Sequence, residues 1–208
     1  MTLRVAAALA LLLGAAALLA YLHELGKGPW ADPAARHLRA VKDRAASPAA
    51  VEPLAFAELE GLPRRRRLAE YAPLETRGVV VEGYVVRILH APDGDLHLDL
   101  APEPVGRAGP FPRYAITELT PQWRRGSRNW SHDRLAATLR PTFGGATSWE
   151  HGPRRVRLSG WLLYDYPHEG WVPSGFLPLR PVSAWEVHPV TRIELWDDSL
   201  QGFVEYPR

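Results

Sequence analysis

The longest regular pattern in the chain runs over residues 78–100, GVVVEGYVVRILHAPDGDLHLDL. Val79, Val81, Val85, Val86 and Ile88 are β-branched and suit a pleated, packed surface. Pro92, Asp93, Gly94 and Asp95 form a turn signal, because Pro presets φ and Gly accepts φ > 0. Beyond it, Leu96, Leu98 and Leu100 alternate with Asp95, His97 and Asp99. That period of two predicts a strand with one apolar face and one polar, ionisable face. The same reading predicts strands over 113–119, 155–166 and 183–196. A helix is predicted over 131–139, with Ser131 as N-cap, Asp133 in the first turn and Pro141 as its stop. Leu96, Leu98, Val156, Leu158, Leu162, Val187 and Ile193 are the expected inward-facing residues.

A second pattern lies at the N-terminus. Residues 5–22, from Val5 through Leu11 and Leu19 to Leu22, are an uncharged run of 18, close to the minimum for a membrane-spanning helix. A cleaved signal peptide would use Arg4 as its basic region and Ala15, Ala16 and Ala17 as a small-residue site. The apolar run continues past that site, so an uncleaved anchor is expected, with lipid as its first partner. Lys27, Arg36, Arg39 and Lys42 would hold the following domain on the cytoplasmic side by the positive-inside rule. The short basic tail before the Ala/Leu run has the form of an export signal. The expected placement is therefore the inner membrane, single-pass, with an extracytoplasmic globular domain.

Between these patterns, residues 28–76 read as a helical and irregular connector. Asp32 and Pro33 suit the N-cap and N1 positions of a short helix. Four consecutive arginines, 64–67, could meet phosphate or lipid head groups, or form a solvated face. The domain division expected from sequence is thus 1–27 anchor, 28–76 connector and 77–208 β-domain. With 208 residues, 20 Pro and 17 Gly, the chain suits one β-rich domain with many turns. It has no Cys, which excludes disulfides, zinc–thiolate sites and thiol catalysis.

The element order, with Gly83 inside a long first strand and a helix between the third and fourth strands, resembles the OB-fold. Three stretches are similar to a group of bacterial OB-like proteins: VEGYVV with DGDLHLDL, VRLSGWLLYD with PHEG, and AWEVHPVTRIEL. The resemblance implies a mainly β, five-stranded OB-like Greek-key barrel with one intervening helix, preceded by the transmembrane helix. It implies no activity. The DGD turn is also similar to that of thermonucleases, OB-type enzymes that use such carboxylates with calcium. The Asp-Thr-Pro-Glu stretch of that family is missing here, where residues 113–120 read RYAITELT, so nuclease activity does not carry over.

Candidate chemistry falls in two groups. Asp95, His97, His168, Glu186 and His188, with Asp93, Asp99 and Asp165 nearby in sequence, are ligand types for zinc, manganese or non-haem iron. If the strand ends converge, they would form a mixed His/carboxylate site for a divalent metal that activates water. The plainer reading is polar residues that staple strands and loops. Trp123, Arg124, Arg125, Arg128 and Trp130 form an Arg/aromatic stretch of the kind found in protein interfaces and in single-strand-binding surfaces. The net charge of +2 gives no excess of cations over the whole chain. The expected function is a non-catalytic protein-binding or accessory subunit of a membrane-associated assembly, without a cofactor. The alternatives are a metal-dependent hydrolase or nuclease and a single-stranded nucleic-acid-binding module.

Overall fold

In a computed structural model of the chain, residues 3–24, 31–64, 67–105, 113–143, 152–171 and 180–208 are described. Two compact units emerge, 1–43 and 44–208. The first contains helix α1 (Leu3–Glu24) and helix α2 (Pro33–Lys42). Asp32 caps α2: its Oδ1 accepts from the Ala34 and Ala35 amides at 2.7 and 3.0 Å, and Pro33 occupies N1.

Among the described residues, no helix is long and apolar enough to cross a membrane. This corrects the expected anchor and the single-pass inner-membrane placement built on it. Leu11 and Leu19 are exposed on α1 and Leu22 is half-buried; the side chain of Val5 lies outside the described residues.

The second unit is built on strands β1 (Glu52–Pro53), β2 (Gly78–His90), β3 (Leu96–Ala101), β4 (Arg113–Leu119), β5 (Arg155–Tyr164), β6 (Arg180–Asp197) and β7 (Gly202–Glu205). Helices α3 (Phe56–Gly61) and α4 (Leu68–Tyr71) precede β2. Helices α5 (Pro121–Arg124) and α6 (His132–Leu139) lie between β4 and β5. The result is a 7-stranded mixed sheet in the order β1-β2-β3-β4-β6-β5, with β7 paired to β6 and β2 also paired to β5. The β1–β2 and β4–β6 pairs are parallel and the others antiparallel.

This overturns the expected five-stranded OB-like barrel behind a transmembrane helix. Two strands were not anticipated because their signals are too short for a period of two to register. Glu52–Pro53 has only two residues, and Gly202–Glu205 folds back on β6 after a turn held by Asp197, whose carboxylate accepts from the Ser199 and Leu200 amides.

One strand serves two neighbours. The first half of β2, Gly78 to Tyr84, pairs with β5, and the second half, Tyr84 to His90, pairs with β3. Gly83 sits at the changeover, where an added Cβ would lie 2.5 Å from the Ala101 carbonyl oxygen, so only glycine lets β3 approach this closely. At Gly160 of β5 the approach is tighter still: a Cβ would stand 2.2 Å from the Pro189 oxygen of β6.

All of the residues expected to face inward are buried: Leu96, Leu98, Val156, Leu158, Leu162, Val187 and Ile193. Leu54, Leu59 and Tyr71, from the stretch before β2, join the same apolar cluster. The alternation along β3 holds, but its second face is also covered. Val86, Ala101 and Tyr114 form a smaller apolar cluster, with Ile116 and Phe143 packed against it. The polar residues of that second face are therefore buried or half-buried instead of solvated.

Candidate functional site: a buried His/carboxylate cluster and an exposed Arg/aromatic groove

The polar cluster is assembled by strand register. His97 of β3 is the pairing partner of Glu118 of β4, so the two side chains share a face. β4 runs parallel to β6 with Ile116 opposite Glu186 and Thr117 opposite Val187, which brings Glu186 and His188 alongside Glu118. Asp95 enters from the turn that leads into β3, where its amide donates to Asp93 Oδ1 at 3.2 Å.

Glu118 is the hub. His188 Nδ1 donates to its Oε2 at 2.9 Å, and His97 Nε2 approaches its Oε1 at 2.9 Å. Glu186 Oε1 lies 3.5 Å from His188 Nδ1, and Asp95 Oδ2 lies 3.7 Å from His188 Nε2. Asp95, Glu118, Glu186 and His188 are all buried, His188 completely, and His97 is partly exposed. Burial alone would raise the Glu118 pKa, but the hydrogen bonds and charges of His188 and His97 hold it well below the usual carboxylate range. Burial would lower His97, and Glu118 reverses that, so its imidazole stands above its ordinary value.

His168 does not join the cluster. Its Nδ1 pairs with Asp165 Oδ2 at 2.7 Å on the turn after β5. Of the five candidate ligands, the structure brings together Asp95, His97, Glu186 and His188. Sequence reasoning missed Glu118. It is the one acidic residue of the strand RYAITEL, but nothing in the sequence sets it opposite His97 or beside His188. Asp99 is engaged separately, by Arg87 Nε at 2.7 Å.

The Arg/aromatic stretch is arranged differently from its reading as a surface. Trp123 and Trp130 are buried in the core. Trp123 Nε1 donates to the Arg44 carbonyl at 2.9 Å, and the Arg208 guanidinium covers both rings, 5.1 Å from Trp123 and 5.5 Å from Trp130. Arg124 is half-buried and donates to the Gly94 carbonyl, which leaves Arg125 and Arg128 exposed. In the arginine run, Arg64 donates to the Val182 carbonyl at 2.8 Å, and Arg65 and Arg66 lie outside the described residues.

A different Arg/aromatic array occupies the outer face of β2, β5, β6 and β7. The Arg155 guanidinium stands 4.6 Å from the Trp196 ring and 5.4 Å from the Phe203 ring, and Arg157 lies 4.0 Å from Phe203. Both arginines also bond Glu82 of β2, Arg157 Nε at 2.9 Å. Beside this array is a groove of about 540 Å³ lined by Tyr84, Arg140, Arg154, Arg155, Trp196 and Asp198. The sequence carried a signal for it in the alternation of Arg155, Arg157 and Trp161 with Val156, Leu158 and Leu162. No protein-family model matches the chain, and no curated protein matches it.

Proposed function

We propose that the protein is a non-catalytic binding module, an accessory subunit that engages a mixed-charge protein surface through the groove beside Trp196. The supporting observation is the stacking of Arg155 against Trp196 and Phe203. It presents guanidinium and aromatic area in one held, half-exposed array. Arg, Trp and Tyr carry most of the binding energy at protein interfaces; Trp and Tyr add large area with only two side-chain torsions, and the stacked rings here hold the Arg155 guanidinium in place.

The hydrolase reading is weaker on access. A catalytic metal or general base must meet a substrate, whereas Asp95, Glu118, Glu186 and His188 are each at most 6% exposed. The nucleic-acid reading is weaker on charge. A phosphate backbone needs cations free to replace counterions. Here Glu82 takes up Arg155 and Arg157, and Asp197 and Asp198 line the same groove as Arg140 and Arg154.

The test uses the protein cross-linked in its native assembly. Trp196→Ala and Arg154→Glu are each expected to lower recovery of the cross-linked partner by about tenfold or more, an interface hot-spot effect. The melting temperature should change little with Arg154→Glu, since that side chain lies outside the apolar core. Partner recovery at the original level in both variants would remove the groove from the interface.

A further inference from the structure

We propose that Asp95 and His188 hold a divalent transition-metal ion of the zinc class, with Glu118 as the positioning residue behind the His188 ring. The site is independent of the groove. Donor atoms of Asp95, Glu118 and His188 lie within 4.8 Å of one another. The second observation is His188 itself. Its side chain is wholly buried, and among the described residues its Nε2 has no hydrogen-bond partner while facing Asp95 Oδ2 at 3.7 Å. That separation is too long for a hydrogen bond. It suits two donors sharing one ion, since ligands about 2.0–2.2 Å from a metal stand roughly 3.3–3.6 Å apart at tetrahedral angles.

The other side of the ring is arranged as such a ligand requires. Nδ1 donates to Glu118 Oε2 at 2.9 Å, which turns the other ring nitrogen, Nε2, toward Asp95. Metal-bound histidines commonly donate their second ring nitrogen to a carboxylate in this way, which fixes the tautomer and ring orientation. Glu118 is fixed in turn by His97 at 2.9 Å. Glu186 lies 3.5 Å from Nδ1, so three carboxylates converge on one buried imidazole. A dication offsets that concentration of negative charge better than two imidazoles alone. Asp95, slightly exposed at the turn before β3, gives the side from which water completes the coordination. The predicted role is structural: the ion would tie the β3 turn to the middle of β6.

The test is equilibrium dialysis of the full chain against chelator and then against Zn²⁺, followed by elemental analysis, a melting curve and the ¹⁵N resonance of His188 Nε2. One tightly held zinc per chain, a raised melting temperature and a shifted Nε2 resonance are expected. Asp95→Asn should lose that equivalent. His188→Gln should lose it too, and if that variant fails to fold, Asp95→Asn decides. Glu118→Gln, which keeps an acceptor for Nδ1–H, should weaken zinc binding by about 10–100-fold without abolishing it. His168→Ala should bind as the original chain does, because His168 pairs with Asp165 elsewhere. Absence of tightly bound zinc in the original chain, or equal binding by Asp95→Asn, would overturn the site.

Discussion

Arg87→Met is expected to lower stability by about 3–5 kcal/mol near neutral pH, the cost of leaving a buried charge without its partner. Asp99 is wholly buried, and Arg87 holds it with Nε at 2.7 Å. Arg87 also donates to the Tyr114 hydroxyl at 3.1 Å and lies 5.2 Å from that ring. Methionine keeps the apolar stem of the side chain but removes every donor. The two partners pull in different directions: Asp99 and Tyr114 raise Arg87 against its own burial, whereas burial lifts Asp99 to about 6 despite Arg87. Asp99 sets the pH response, because the guanidinium is charged at every relevant pH.

The sign follows from the folded value lying above the unfolded one of about 3.9. The contribution of Asp99 is fully present below about pH 4 and is lost as pH rises through about 6. Two pH units at 1.36 kcal/mol each make this about 3 kcal/mol. Urea unfolding between pH 4 and 7 should therefore show a falling component that disappears in Asp99→Asn. In Arg87→Met the fall should be larger and extend to higher pH. An Asp99→Asn profile that follows the original chain throughout would contradict the buried pair.

Leu158→Ala should cost about 2–5 kcal/mol, the range for a fully buried leucine whose cavity cannot collapse. Leu158 is wholly buried at the centre of β5, between Val81 of β2 and Ile193 of β6. Its neighbours are held on both sides by strand pairing, so relaxation into the void is restricted. Chemical denaturation with an unchanged m-value is the measurement. A loss below roughly 0.5 kcal/mol, typical of surface positions, would reverse the facing of β5.

The parts of this fold legible in the sequence are those whose pattern is local and repeated. The Leu96–Leu98–Leu100 alternation, the 113–119 strand and the Ser131-capped helix all lie where period and capping chemistry put them. What escaped the pattern depends on pairing between distant segments. The two-residue β1 exists only because it adds to the edge of β2, and β7 only because a turn at Asp197 returns it to β6. The apolar run at the N-terminus has about the minimum length of a membrane span in the sequence, but among the described residues no helix is long and apolar enough to cross a membrane. Asp95, Glu186 and His188 were visible as chemistry. Glu118 was not, because its meaning comes from standing opposite His97 across one ladder and beside His188 across another. Trp123 and Trp130 are placed by tertiary packing rather than by their sequence neighbours. Arginine beside tryptophan in sequence suggested a surface, while the rings fill the core and Arg208 covers them. The array at Arg155, Trp196 and Phe203 draws on three strands, and only its β5 edge shows in the sequence, as the alternation around Arg155 and Arg157.

Binding through that array, as proposed, is open to side-chain oxidation footprinting. The labelling of Tyr84, Trp196 and Phe203, all partly exposed, is compared between the isolated chain and the native assembly. Protection of Trp196 and Phe203 in the assembly is predicted, with the exposed Leu200 on the adjacent turn as an internal reference for local access. Equal labelling of Trp196 and Phe203 in the two states would contradict the account.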